Sequence, residues 1–289
     1  MDPALSLPLG TLVAGSFTIV FLLLLPVAAT IAAHHWLQVG WRYALYGAAV
    51  FLVFQILTRI PAVEIFGPRV LAYVQHSPLL WGWLAVLALT AGVFEEVGRY
   101  LGFRVFFRSD QKTWSKAVMF GIGHGGLEAL MVAATAIFST AQLWALSRSS
   151  LDSLGPAQRQ QVLDQFARIA AQPAWIQLLG AWERTWAMLI QIAMALIVLQ
   201  VFTRRRLIWL WLAIAAHAVV DMVSVSTVQL LSARPVAAYM VTEVLVGLFG
   251  LAALWTIIRL RDIEAARLQL PAGGRPARGR RWLHAAGHP

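Results

Sequence analysis

The chain has 289 residues, 60% hydrophobic and only 12% charged, with a mean hydropathy of +0.70 and thirteen tryptophans. That composition excludes an ordinary soluble domain and defines a polytopic helical membrane protein. The formal charge of +10 does not point to nucleic acid, since the arginines sit at span ends and in the tail, and the lack of cysteine excludes disulfides and thiol chemistry.

Seven spans are predicted, at about 9–33, 43–58, 79–103, 117–147, 174–202, 207–229 and 235–258. The first starts after Met1-Asp2-Pro3, which lacks a positive n-region, and is longer than a signal h-region. Arg59 to Pro78, with Pro61 and Pro68 inside, is expected to re-enter the membrane or lie on its surface. Spans four and five exceed the ~20 residues needed, so they tilt, protrude or break. Between them Leu151 to Pro156 reads as a turn, followed by a short amphipathic helix through Ala170.

Basic residues set the orientation. Arg104, Arg108, Lys112 and Lys116 follow span three, Arg204-Arg205-Arg206 follow span five, and Arg259 to Arg281 follow span seven. The positive-inside rule puts these in the cytoplasm, giving an N-out/C-in bundle. The domain expected to cross the membrane is 1–260. Residues 261–289, with Arg275, Arg278, Arg280 and Arg281, read as a basic, disordered cytoplasmic tail that contacts anionic lipid headgroups. The small size and Ala- and Arg-rich usage fit a multi-pass protein of a bacterial plasma (inner) membrane.

The chemistry is concentrated in few residues. Glu95, Glu96 and Arg99 end the apolar run Leu79 to Ala91. An ionisable group at membrane depth costs at least ~2.5–3.5 kcal/mol on insertion scales, and here three fall within five residues. Glu95 and Arg99 share a helix face, while Glu96 is turned about a third of the way round. Only two of the seven histidines lie inside spans, and each has a carboxylate four residues on: His124 with Glu128, and His217 with Asp221. On one helix face that carboxylate can orient the ring or share a metal. Counting residues at ~1.5 Å each puts Glu95, His124 and His217 about 10–15 Å below the cytoplasmic surface. The site is therefore expected on helices 3, 4 and 6. Gly121, Gly123, Gly125 and Gly126 give span four a surface for close backbone approach or for substrate passage. Glu183 and Arg184, being adjacent, are expected to point apart, with Arg184 free to neutralise Glu128; Glu183 and Glu243 lie toward the outer half of the membrane.

These motifs together resemble a family. Glu95-Glu96-x-x-Arg99, a buried histidine on the next span and His217-x-x-x-Asp221 look like the signature of the CAAX prenyl protease superfamily, which includes PrsW-type proteases. More narrowly, Phe94 to Leu101, Gly121 to Glu128, Glu183-Arg184 and His217-Ala-x-x-Asp221 resemble the YhfC family of intramembrane metalloproteases. Where that family often carries a histidine after the Glu-Arg pair, this chain has Gln191, which argues against a metal or proton-transfer role there.

The resemblance implies an intramembrane endopeptidase that cleaves a membrane-embedded or lipoprotein-like peptide with a Glu/His-activated water. Glu95 is the candidate general base, with Glu96 an orienting neighbour or second base and Arg99 its counter-charge. His124 would activate the water or ligate a metal, and His217 would serve the oxyanion with Asp221 fixing its tautomer. The superfamily implies a non-metal, glutamate-type scheme. The narrower family implies a metal, with His124, His217 and Glu95 as ligands, most simply to Zn2+. Other classes of reading are a proton-coupled transporter or channel, since buried Glu, His and Arg also build proton relays, and an inactive scaffold or immunity-type protein on the same fold.

Overall fold

A computed structural model describes residues 5–149, 151 and 154–269. Among the described residues nine α-helices follow in chain order: α1 (Leu9–Leu37), α2 (Arg42–Phe51), α3 (Ile60–Val74), α4 (Leu79–Val105), α5 (Trp114–Arg148), α6 (Pro156–Ala170), α7 (Leu179–Thr203), α8 (Ile208–Leu230) and α9 (Pro235–Gln269). Among the described residues there is no strand, and seven helices are long and apolar enough to cross a membrane. The chain is an all-α, multi-pass membrane protein. Asp152 and Ser153 of the expected turn, and residues 270–289 of the expected tail, lie outside the described residues; α9 itself runs on to Gln269.

The second span departs from expectation. It runs as one continuous helix from Arg42 to Val74, so the chain does not turn back on itself after Arg59 as a re-entrant piece would. Pro61 is tolerated because the register changes ahead of it, while Pro68 lies inside α3 without ending it. Leu52–Arg59 is π-helical, joining α2 to α3, and Pro61 falls at the first turn of α3, where its missing N–H costs least. The Thr58 hydroxyl reaches back to the carbonyls of Val53 (2.9 Å) and Phe54 (2.6 Å), satisfying oxygens the wider turn loosens.

α5 sits between α1, α2 and α7, while α4 packs on α8, and α7 closes against α8 and α9. The crossings that matter are backbone on backbone. A Cβ built on Gly123 would lie 1.8 Å from the Ala44 carbonyl oxygen, and one on Gly121 would lie 2.6 Å from Ile192 Cα. Of the two roles open to the span-four glycines, these positions serve close packing, not substrate passage. Gly123→Val should therefore cost about 3 kcal/mol or more, beyond ordinary overpacking, because the clash is with main chain. Gly82→Val, with open space around its Cβ, should leave the unfolding midpoint in detergent unchanged and serves as the control.

Trp114 ties two helices together. Its indole N–H donates to the Ile257 carbonyl at 2.9 Å, and its backbone N–H to the Glu264 carboxylate at 2.9 and 3.1 Å. Glu264 thus caps the start of α5, which Thr113 leaves uncapped.

Candidate functional site

Charge on α4 is gathered by one side chain. The Arg99 guanidinium folds back along its own helix, donating from Nη2 to Glu95 Oε2 at 3.0 Å and from Nη1 to Glu96 Oε1. Its reach brings together two carboxylates that helix geometry alone sets apart, and Nη2 also donates to Gln191 Oε1 on α7. Glu96, Arg99 and His124 are 0% exposed, so these charges hold each other without water.

The two histidines take different places. His124 Nε2 lies 3.0 Å from Glu95 Oε2; the carboxylate only accepts, so Nε2–H is the donor and Nδ1, enclosed without a partner, carries the lone pair. His217 Nδ1 donates to Glu96 Oε1 at 2.7 Å. Its Nε2 then faces Glu95 Oε1 and Asp221 Oδ2, each at 3.8 Å.

Of the two expected His–carboxylate pairs, His217 keeps Asp221 at 3.8 Å while His124 does not meet Glu128. His124 and Glu128 share a face but do not bond. Glu128 instead accepts from Arg184 Nη1 at 2.8 Å and from Gln191 Nε2 at 2.7 Å. The His217 tautomer is set by Glu96 from across the bundle, not by Asp221. The neutralising role expected for Arg184 toward Glu128 is present. The expectation that Glu183 and Arg184 point apart is not met, since Arg184 Nη2 bends back to donate to Glu183 Oε1. Chain direction separates adjacent Cβ atoms, but a guanidinium on a long stem closes that gap.

Two polar residues of this core, Gln55 and Arg59, were not singled out from sequence, and Gln191 was noted only as the place where the family often carries a histidine. Gln191 is a hub that accepts from Arg99 and donates to Glu128 and, at 3.3 Å, to Glu95 Oε2. Gln55, on the π-helical turn and almost fully buried, donates to Glu95 Oε1 at 2.7 Å. Arg59, one step on, donates to the Leu87 carbonyl at 2.7 Å. The signal that could have found Gln55 and Arg59 is two polar residues four apart continuing an apolar run.

A cavity of about 290 Å³ adjoins this core, and Arg59, Glu95, Glu128, Arg184, His217 and Asp221 all line it. Glu96, Arg99 and His124 do not; they stand behind Glu95 and His217 and hold them. On α4 the lining runs from Glu95 back to Ala91, and on α8 from His217 on to Ser224, so the cavity extends toward the bundle end that carries Val74 and Leu230. Ile190 and Val220 divide it from an apolar cavity of about 390 Å³ between α7, α8 and α9. The arrangement is a desolvated carboxylate, aimed by four donors, at the edge of a space large enough for several waters or a peptide segment.

Seven membrane-spanning helices closed around a buried Glu-Glu-Arg-His-His core define a membrane protein with an intramembrane polar site. The chain matches the model of the family described as YhfC intramembrane metalloprotease over residues 21–246, and it belongs to that family. It is also 30% identical over 192 residues to the "Uncharacterized membrane protein YhfC" of Bacillus subtilis (strain 168), covering 65% of this chain and 71% of that protein. No solved structure matches it. The matched stretch includes every residue of the core.

The family's description implies a metal, and the residues accommodate one. Glu95, Glu96 and His217 offer ligand atoms that all lie within 4.8 Å of one another. Ligands of a tetrahedral zinc stand about 3.3–3.5 Å apart, given bonds of ~2.0–2.1 Å, and His217 Nε2 and Glu95 Oε1 are 3.8 Å apart. Glu96 Oε2 is enclosed with no donor, and His217 Nε2 faces two carboxylate oxygens, an arrangement that a bare lone pair opposes and a proton or cation relieves. His124 stands outside this set, with its Nε2 spent on Glu95.

Proposed function

We propose that the protein is an intramembrane endopeptidase that hydrolyses peptide bonds of membrane-embedded or membrane-anchored substrates. The observation that carries this reading is Glu95, a buried carboxylate at the cavity edge held by Arg99, His124, Gln55 and Gln191. Four contacts fix its geometry and leave an oxygen toward the cavity, the arrangement a general base needs. Glu95 takes a proton from water, the water oxygen bonds to the peptide carbonyl carbon, and the C=O electron pair moves onto oxygen. The proton then passes to the amide nitrogen as the C–N bond breaks, leaving a carboxylic acid and an amine. His217, enclosed by Glu95, Glu96 and Asp221, is the group placed to hold a proton for that step. Arg99, Glu96 and His124 act through Glu95 and His217 by fixing their positions.

Where the site binds zinc, His217 and Glu95 hold it, with Glu96 completing the set, and the ion supplies positive charge that polarises the carbonyl and acidifies water. The adjoining apolar cavity, separated only by Ile190 and Val220, supports a substrate with an apolar segment. With the basic loops in the cytoplasm, the polar cavity lies to the outer side of the core. Membership in the wider CAAX and PrsW-type superfamily, a bacterial plasma membrane location and lipid contact by the Arg-rich tail belong to the same proposal.

The test is co-expression with a panel of single-span membrane proteins. Cleavage that occurs with wild type and disappears with Glu95→Gln is the expected result. Intact substrates together with Glu95-dependent proton flux would replace the endopeptidase with a proton-coupled transporter.

A further inference from the structure

Among the described residues, the arginines that line the cavity or stand behind it are paired with acids, with one exception. Arg99 has Glu95 and Glu96, and Arg184 has Glu128 and Glu183. Arg59 lines the same cavity, yet no carboxylate of the described residues comes within 4.0 Å of it. Its contacts are neutral: Nη2 to the Leu87 carbonyl at 2.7 Å and Nη1 to Gln55 Oε1 at a long 3.4 Å, while Nε is enclosed with no partner. Glu95 and Asp221 act on it only at longer range, so this partly buried cation has no acid in direct contact and favours an anion beside it.

We infer that Arg59 is the donor that receives the negative charge developing on the substrate carbonyl oxygen, a role resting on the endopeptidase reading. The geometry is set by Gln55, which links Arg59 to the base: its Oε1 takes Arg59 Nη1 and its Nε2 donates to Glu95 Oε1 at 2.7 Å. Two hydrogen bonds and the width of one amide group place Nη1 no more than about 8 Å from Glu95 Oε1. It is also beyond ion-pair range of that oxygen. A water bonded to the base, the tetrahedral carbon it attacks, and an oxyanion about 2.7–3.1 Å from its donor span that interval. The π-helical turn makes the placement, carrying Gln55 to the base and Arg59 to the cavity one step further along the same face. His217, the sequence's candidate for this role, has its Nδ1 committed to Glu96 and its Nε2 turned to carboxylates. Arg59 is the lining cation left to meet new negative charge.

The test compares wild type, Arg59→Gln and Arg59→Lys on a cleaved membrane substrate, with unfolding midpoints of all three measured in detergent. Arg59→Gln should lower kcat by about 10²–10³-fold with KM within about threefold, as for loss of one oxyanion donor. Guanidinium added to the solution should restore part of that rate, and Arg59→Lys should fall between. A phosphinate peptide that mimics the tetrahedral centre should bind Arg59→Gln more weakly by the same factor, a readout that does not depend on turnover. Wild-type kcat in Arg59→Gln, a loss confined to KM, or undiminished phosphinate affinity would overturn the assignment while leaving the endopeptidase reading intact. A wild type that cleaves nothing and ignores the phosphinate would overturn both. A lowered midpoint common to the Gln and Lys variants, with no rescue, would make Arg59 structural.

Discussion

Replacing Arg99 by leucine is expected to cost about 3–5 kcal/mol of stability, the scale of removing one partner from a buried ion pair. The side chain has no exposed surface, and its fork serves Glu95, Glu96 and Gln191 together. Without it two carboxylates are left within one enclosed space, answered only by the neutral amides of Gln55 and Gln191 and by the rings of His217 and His124. The measurement is the midpoint of thermal unfolding in detergent. Coupling tests the cause: in a Glu96→Gln background the cost of Arg99→Leu should shrink by about 1–3 kcal/mol, because one of the charges to be answered is already gone. Equal costs in both backgrounds would assign the loss to packing. Arg99→Lys should also destabilise, since a point charge on a flexible stem cannot span both carboxylates and the amide at once.

The reach of Arg99 also shows what was legible in the sequence. Lipid makes each buried ionisable group expensive, so Glu95, Glu96, Arg99, His124, Glu128, His217 and Asp221 stood out against an apolar background, and the structure brings all of them to one region of the bundle. The count and order of spans followed from hydropathy for the same reason. Partnerships did not follow. Spacing by four offers two side chains a shared face, but contacts between helices decide whether they use it. Glu128 faces Arg184 and Gln191 across the α5–α7 contact, made tight by Gly121, so it bonds there and leaves His124 to Glu95. Such choices depend on which backbones approach, and a single chain read along its length does not contain that information.

The second span was misread for a more local reason. Proline usually ends a helix, so Pro61 and Pro68 suggested a break after residue 58. The change to a π-helical register is compatible with Pro61 and lets the helix run on to Val74. That same turn presents Gln55 and Arg59 to the cavity. The local irregularity that hid the helix from sequence reading is the one that equips the site.

His217→Ala should lower kcat by about 10²–10⁴-fold and abolish zinc binding, whereas His124→Ala should keep the zinc. The sequence suggested both histidines as ligands together with Glu95. The structure separates them, because Glu95, Glu96 and His217 converge within 4.8 Å while His124 is occupied behind Glu95, against the Phe51 ring. Elemental analysis after purification without chelators and reloading with zinc reads the difference directly. One ion per chain in wild type and in His124→Ala, and none in His217→Ala, is the expected pattern. Loss of the ion from His124→Ala would restore the two-histidine set and require Glu95 to turn away from its present donor. A wild type that binds no zinc would leave hydrolysis to the Glu95 carboxylate, with His217 holding the proton and Arg59 the oxyanion. In that case the cost of His217→Ala would still stand, since the imidazole between Glu95, Glu96 and Asp221 has no other side chain to replace it.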